Sequence, residues 1–122
     1  MPFEVFTPEA AAESGPAYVS IQKQGIIAFN RAAFALLGEP TAVELLYDRE
    51  RSLVGLRRAE ESASHALRVR TSSAGGTFVV SAARFVKHYG IPNDVGRRWS
   101  ADHEGGVVFI DITAPPVGEG AA

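Results

Sequence analysis

The sequence predicts a strand-dominated α+β fold in which two ββαββ repeats close into one pseudo-two-fold β-barrel carrying two short helices. Three observations lead there. Gly25, Phe34, Gly38 and Pro40 recur as Gly76, Phe85, Gly90 and Pro92, so the chain consists of two similar units of roughly fifty residues. Apolar residues alternate with polar ones on both sides of each repeated segment, which is the period of a half-buried strand. At 122 residues the chain fits one core, and a unit of half that length buries too little apolar surface to stand alone. The alternative architecture is an open twisted antiparallel sheet with both helices on one face.

In the first unit, Val19 and Ile21 alternate with Ser20 and Gln22 as a first strand. Gln24 and Gly25 supply a tight turn, and residues 26–29 return as a second strand. Asn30 caps a short helix over residues 31–37, Gly38 ends it in a left-handed conformation, and Pro40 blocks its continuation. Phe29 before the cap and Phe34 inside the helix have the spacing of a hydrophobic staple. Strands over 43–47 and 53–56 follow around a polar turn. The second unit repeats these devices. Leu67 and Val69 alternate with Arg68 and Arg70, residues 77–80 form a strand, Ser81 caps the helix, and Gly90 with Pro92 ends it. Strands over 99–101 and 107–112 close the unit around a turn at residues 102–106. The offset between units grows from 51 residues (Gly25 to Gly76) to 54 (Asp48 to Asp102), a drift explained by insertions in loops.

The domain organisation reads as an N-terminal arm (1–17), a single domain (18–113) of two repeats (18–58 and 65–113), and a flexible tail (114–122). In the arm, the apolar residues 3–6 suit an edge strand, and Thr7 with Pro8 suits the start of a helical turn. There is no cysteine, which excludes disulfides and thiolate ligands and is compatible with a reducing cytoplasm. No apolar run approaches the ~20 residues that span a bilayer, so the expectation is a cytoplasmic protein without membrane contact. The net charge of −2 argues mildly against a nucleic-acid binder. However, Glu4, Glu9, Glu13 and Glu119 lie outside the repeats, and the rest holds 12 basic against 10 acidic residues.

A strand, a glycine turn, a strand entering a short capped helix, a helix-ending glycine and a hairpin together resemble the AbrB/SpoVT/MazE swapped-hairpin family, including its tandem MraZ-type members. The resemblance covers about residues 19–58 and 67–113. It implies two units interlocked in one barrel, and a DNA-binding transcriptional regulator or antitoxin-like protein. Members of that family typically place a basic residue after the hairpin glycine and an Ile-Pro pair at the helix entrance. Here Ile26 and Thr77 follow the glycines, and the entrances are Phe29-Asn30 and Val80-Ser81.

If DNA is the partner, phosphates would meet Lys and Arg on strand faces and at helix starts. The candidates are Lys23, Arg68 and Arg70 on first-strand polar positions, Arg31, Arg84 and Lys87 on the helices, and the pair Arg97 and Arg98. The competing account makes these solubilising charges on a non-enzymatic protein-interaction or scaffold module, which would include a homo-oligomer. Trp99 and Tyr47 beside charged residues suit either base stacking or shielding of the sheet, while Phe29, Phe34, Phe78 and Phe85 are core by pattern. His65, His88 and His103 have no ligand spacing. Ser20, Ser52, Ser81 and Ser100 lack a nucleophile-elbow context, and no glycine run opens a helix as a phosphate loop does. These residues give no reason to expect catalysis, a metal or a cofactor.

Overall fold

The computed structural model describes residues 16–71 and 76–117; the expected arm strand at residues 3–6 and the helical turn at Thr7 and Pro8 lie outside them. The elements run β1 (Tyr18–Ile21), β2 (Ile26–Asn30), α1 (Arg31–Leu36), β3 (Ala42–Asp48), β4 (Leu53–Arg58), β5 (Leu67–Arg68), β6 (Arg70–Thr71), β7 (Thr77–Ser81), α2 (Ala83–Tyr89), β8 (Arg97–Ser100), β9 (Asp102–Glu104) and β10 (Val107–Asp111). They pair, antiparallel throughout, as two five-stranded sheets with orders β6-β7-β2-β1-β8 and β5-β3-β4-β10-β9. The expected single closed barrel is therefore corrected to two sheets. The division falls where one chain segment leaves one sheet for the other, at Val69 between β5 and β6 and at Ala101 between β8 and β9. Both corner amides keep a backbone partner: Val69 N–H donates to Thr41 O and Ala101 N–H to Ala17 O, each at 2.9 Å. Strands that switch sheets at a bend are how two sheets form a corner without stranding backbone groups.

The repeat appears in the pairing itself. In the β2–β7 ladder Ala28 faces Val79, its own counterpart 51 residues on, and in the β4–β10 ladder Gly55 faces Phe109, 54 residues on. A pseudo-two-fold axis must pass through both pairs. Only β1–β2 and β3–β4 pair within the first unit, and these two hairpins lie in different sheets. Each of their strands also pairs with the second unit, β1 with β8, β2 with β7, β3 with β5 and β4 with β10. The units are interlocked.

The inward faces supply the core, with Val19, Ile21, Ile27, Phe29, Phe78, Val80 and Trp99 from one sheet and Val43, Val54, Leu56, Val108 and Ile110 from the other. Helix aromatics bridge the units. Phe34 of α1 stacks on Phe78 of the second unit, with centroids 3.8 Å apart and planes at 10°. Its counterpart Phe85 on α2 meets Tyr47 of the first unit edge-on at 6.4 Å. Trp99 is buried, and its indole N–H donates to Ala114 O at 2.9 Å. In the described part of the expected tail, Val117 N–H also donates to Arg98 O at 2.7 Å.

The two helix entrances differ. Asn30 caps α1 as expected, its Oδ1 accepting from Ala33 N–H and also from Tyr18 N–H at 3.1 Å, while Nδ2 donates to Pro16 O at 2.9 Å. Ser81 does not cap α2. It stays paired in β7, its Oγ accepts from Arg70, and Ala82 takes the cap position without a side-chain bond. Ala82 N–H donates instead to Gly25 O at 2.7 Å, so α2 starts on the first unit's hairpin turn. The expected turn over residues 102–106 also contracts. Gly105 and Gly106 both take positive φ (59° and 81°), which makes a two-residue turn sufficient and releases residues 102–104 to pair as β9.

Gly25 carries two constraints at once. Its φ is +77°, and a Cβ there would lie 2.6 Å from Ala83 Cα. Gly76, its counterpart, has φ +69° with nothing within 4 Å among the described residues. Gly25→Ala is expected to cost at least about 2 kcal/mol, left-handed strain plus overpacking against backbone, and Gly76→Ala about 1 kcal/mol from strain alone. Urea denaturation of the two variants measures this, and equal losses would contradict the close packing of α2 on the hairpin.

Candidate nucleic-acid interface

Alternation and register define the outward face of the first sheet. The pairings align Arg98, Ser20, Ala28, Val79 and Arg70 in one row across all five strands, with the pseudo-two-fold axis at its centre. The row beside it holds Ser100, Tyr18, Asn30 and Thr77. Small side chains in the middle and longer ones around them leave an open depression of about 370 Å³, lined by Tyr18, Ser20, Gln22, Ala28, Asn30, Thr77 and Arg98 among others. The Arg98 guanidinium lies 4.5 Å from the centre of the Tyr18 ring, a cation–π contact that holds it over the sheet. At the other end Arg70 donates to Ser81 Oγ at 2.9 Å.

The two sheets differ in charge. The five strands of the first contain Arg70, Arg97 and Arg98 and no Asp or Glu, whereas those of the second contain Glu44, Asp48, Asp102, Glu104 and Asp111 beside Arg57, Arg58 and Arg68. Lys23 adds a further cation in the β1–β2 turn, whose backbone is fixed by Asn93 Nδ2 donating to Lys23 O at 2.9 Å. The formal charges within the strands of this sheet are therefore all of one sign.

The eight cationic candidates are thus separated by the fold. Arg70, Arg98 and Lys23 belong to the first sheet and its turn. Arg68 does not share a face with Arg70, because the chain changes sheets at Val69, and it pairs with Glu61 at 3.1 Å. Arg97 stands on the side of β8 opposite Arg98 and pairs with Asp94 at 3.2 Å. Arg31 lies over the Phe78 ring at 5.7 Å, beside an inward-facing residue. Arg84 and Lys87 are exposed on α2. Burial of Trp99 removes it as a base-stacking platform, and Tyr47 is engaged with Phe85 and Tyr89. Sequence reasoning missed Tyr18, Ser20 and Thr77, whose polar alternation with core residues was the available signal.

The histidines are dispersed. His65 contacts Glu44, His88 packs edge-on against Tyr89 at 4.7 Å, and His103 lies on β9. Among the described residues no group of three or more His, Asp or Glu side chains is gathered as for a metal ion, and no helix is long and apolar enough to cross a membrane. Comparison with family models, with curated proteins and with solved structures finds no match to this chain.

On the second sheet Glu44 and Asp48 are drawn into local pairs. Arg57, and then His65, hold the Glu44 carboxyl below its ordinary value of 4.5. The Asp48 carboxyl is lowered by the backbone and side chain of Arg51. A carboxylate whose folded pKa is depressed adds stability that is complete above its unfolded pKa and disappears as pH falls through the folded one. Wild type should therefore exceed Glu44→Gln in stability at pH 7, and the gap should shrink toward pH 3. Urea midpoints of both proteins at the two pH values test this; a gap independent of pH would contradict it.

Proposed function

We propose that this chain is a divergent tandem relative of the swapped-hairpin family and that it acts without catalysis, by binding nucleic acid through the outward face of its first sheet. Interlocked hairpins around a pseudo-two-fold axis support the kinship. The single observation that carries the binding reading is the absence of carboxylates from five adjacent strands, with Arg98 and Arg70 at opposite ends of one row. Five strands at about 4.8 Å spacing set these arginines on the order of 19 Å apart, a span covering several phosphates of a duplex strand. Ser20, Tyr18 and Thr77 between them add hydroxyl donors, which serve phosphate oxygens as well as arginines do in positioning. Such a surface favours backbone contact over base reading, and a regulatory protein of this kind relies on salt-sensitive affinity.

A second reading, a protein-interaction module without nucleic-acid affinity, is favoured by the other sheet. Its outward face carries Leu46, Leu53, Gly55, Val107 and Phe109 around a cleft of about 320 Å³, whose lining also holds the Asp48–Arg51 pair and Glu104, a carboxylate outside that pair. Charge complementarity selects a partner segment whose apolar side chain is flanked by lysine or arginine.

Fluorescence anisotropy of a labelled mixed-sequence duplex, and of a single strand, across a salt series tests the first reading. Affinity should fall steeply with salt, by about 0.9 in logarithmic slope per phosphate contact on the duplex. The Arg70→Glu/Arg98→Glu double variant should weaken binding at least about tenfold and lose about two units of that slope. No binding at low salt, or a double variant that matches wild type, overturns it. The second reading then predicts binding of a Lys-Leu-Lys peptide that Glu104→Lys abolishes.

A further inference from the structure

Beside α2 the fold leaves an apolar cleft of about 730 Å³ that the nucleic-acid reading does not use. Leu45 and Leu67 of the second sheet line one part of it and Ala83 and Phe85 of α2 another. Its origin is structural. β5 ends after two residues because the chain leaves the sheet at Val69, and α2, tied at its start to Gly25, meets β3 through Tyr47, which packs on Phe85 and Tyr89. A gap therefore opens between helix and sheet at this corner. Its volume lies within the roughly 300–1,000 Å³ typical of small-molecule sites, and its mostly apolar lining with a few polar groups has their usual character.

The polar lining fixes the sign of the ligand. Arg84 is exposed, and among the described residues no carboxylate lies within ion-pair distance of it. Ser81, also in the lining, has its hydroxyl oxygen occupied by a hydrogen bond from Arg70, which lies outside the lining. His65 lines it too, and the carboxylate it touches, Glu44, is already engaged by Arg57 and is not itself part of the lining. An exposed guanidinium without a paired acid, beside an apolar hollow, matches an apolar body that ends in an anion.

We propose that this cleft binds a small amphiphile with an apolar body and an anionic head group, the head lying at Arg84 and the body against Leu45, Leu67 and Phe85. The proposal is independent of nucleic-acid binding, because Arg84 and the leucines lie outside the outward face of the first sheet.

Isothermal titration calorimetry of the full chain with decanoate and with decyltrimethylammonium, both below their micelle concentrations, provides the test. The two probes share a chain length and differ in the sign of the head. Decanoate should bind with one-to-one stoichiometry at least about tenfold more tightly than the cation, and Arg84→Glu should erase that preference. Leu67→Trp, which fills the hollow, should abolish binding of decanoate. Equal affinity for the two probes, or full decanoate affinity in Arg84→Glu, overturns the proposal. Arg84 is a surface residue, so that variant remains decisive if Leu67→Trp does not fold.

Discussion

Everything in this structure depends on the pairing of β2 with β7 across the pseudo-two-fold axis. It sets Ala28 against Val79 and aligns the inward rows of both units, so that Phe29 faces Phe78 and Ile27 faces Val80. All four are buried, Ile27 and Val80 completely. A one-residue slip of this ladder would turn them outward and carry the polar row into the core. The two hairpins of the first unit, being in different sheets, have no ladder with each other, and each is flanked by strands of the second unit. Folding therefore has to assemble both units together. The helix aromatics follow the same rule, since Phe34 finds Phe78 and Phe85 finds Tyr47, each across the unit boundary.

The same pairing sorts the charges. By bringing β1, β2, β6, β7 and β8 side by side, it gathers strands with no carboxylate from separate stretches of chain. The carboxylates collect on the other sheet, where Arg57 and Arg51 engage Glu44 and Asp48. A chain whose overall charge is −2 thus sets Arg70 and Arg98 on one face of a sheet whose strands hold no carboxylate. Net charge described the whole surface and concealed its division.

Much of the fold was legible in the residues. The recurring glycines and prolines marked the helix ends, and Gly38 and Gly90 take the left-handed conformations expected of them. Asn30 caps α1 because an amide can accept from the helix while donating to Pro16. What stayed hidden was produced by tertiary geometry. Arg68, Val69 and Arg70 alternate as in an uninterrupted strand, so nothing local signals the bend that separates the two arginines. Ser81 has the chemistry of a cap, but its place in the β7 ladder and its bond to Arg70 take precedence over local preference. The depression on the first sheet and the cleft beside α2 exist only because distant segments meet.

The central claim is that the carboxylate-free sheet is the binding face of an interlocked two-unit domain. The most direct measurement is an amide chemical-shift titration of the isotopically labelled chain with a mixed-sequence DNA duplex at low salt. The account predicts that perturbed amides concentrate in β1, β2, β7 and β8, with Ser20, Ala28 and Arg98 among the largest shifts. Perturbations centred on β3, β4 and β10, or none at all, would contradict it.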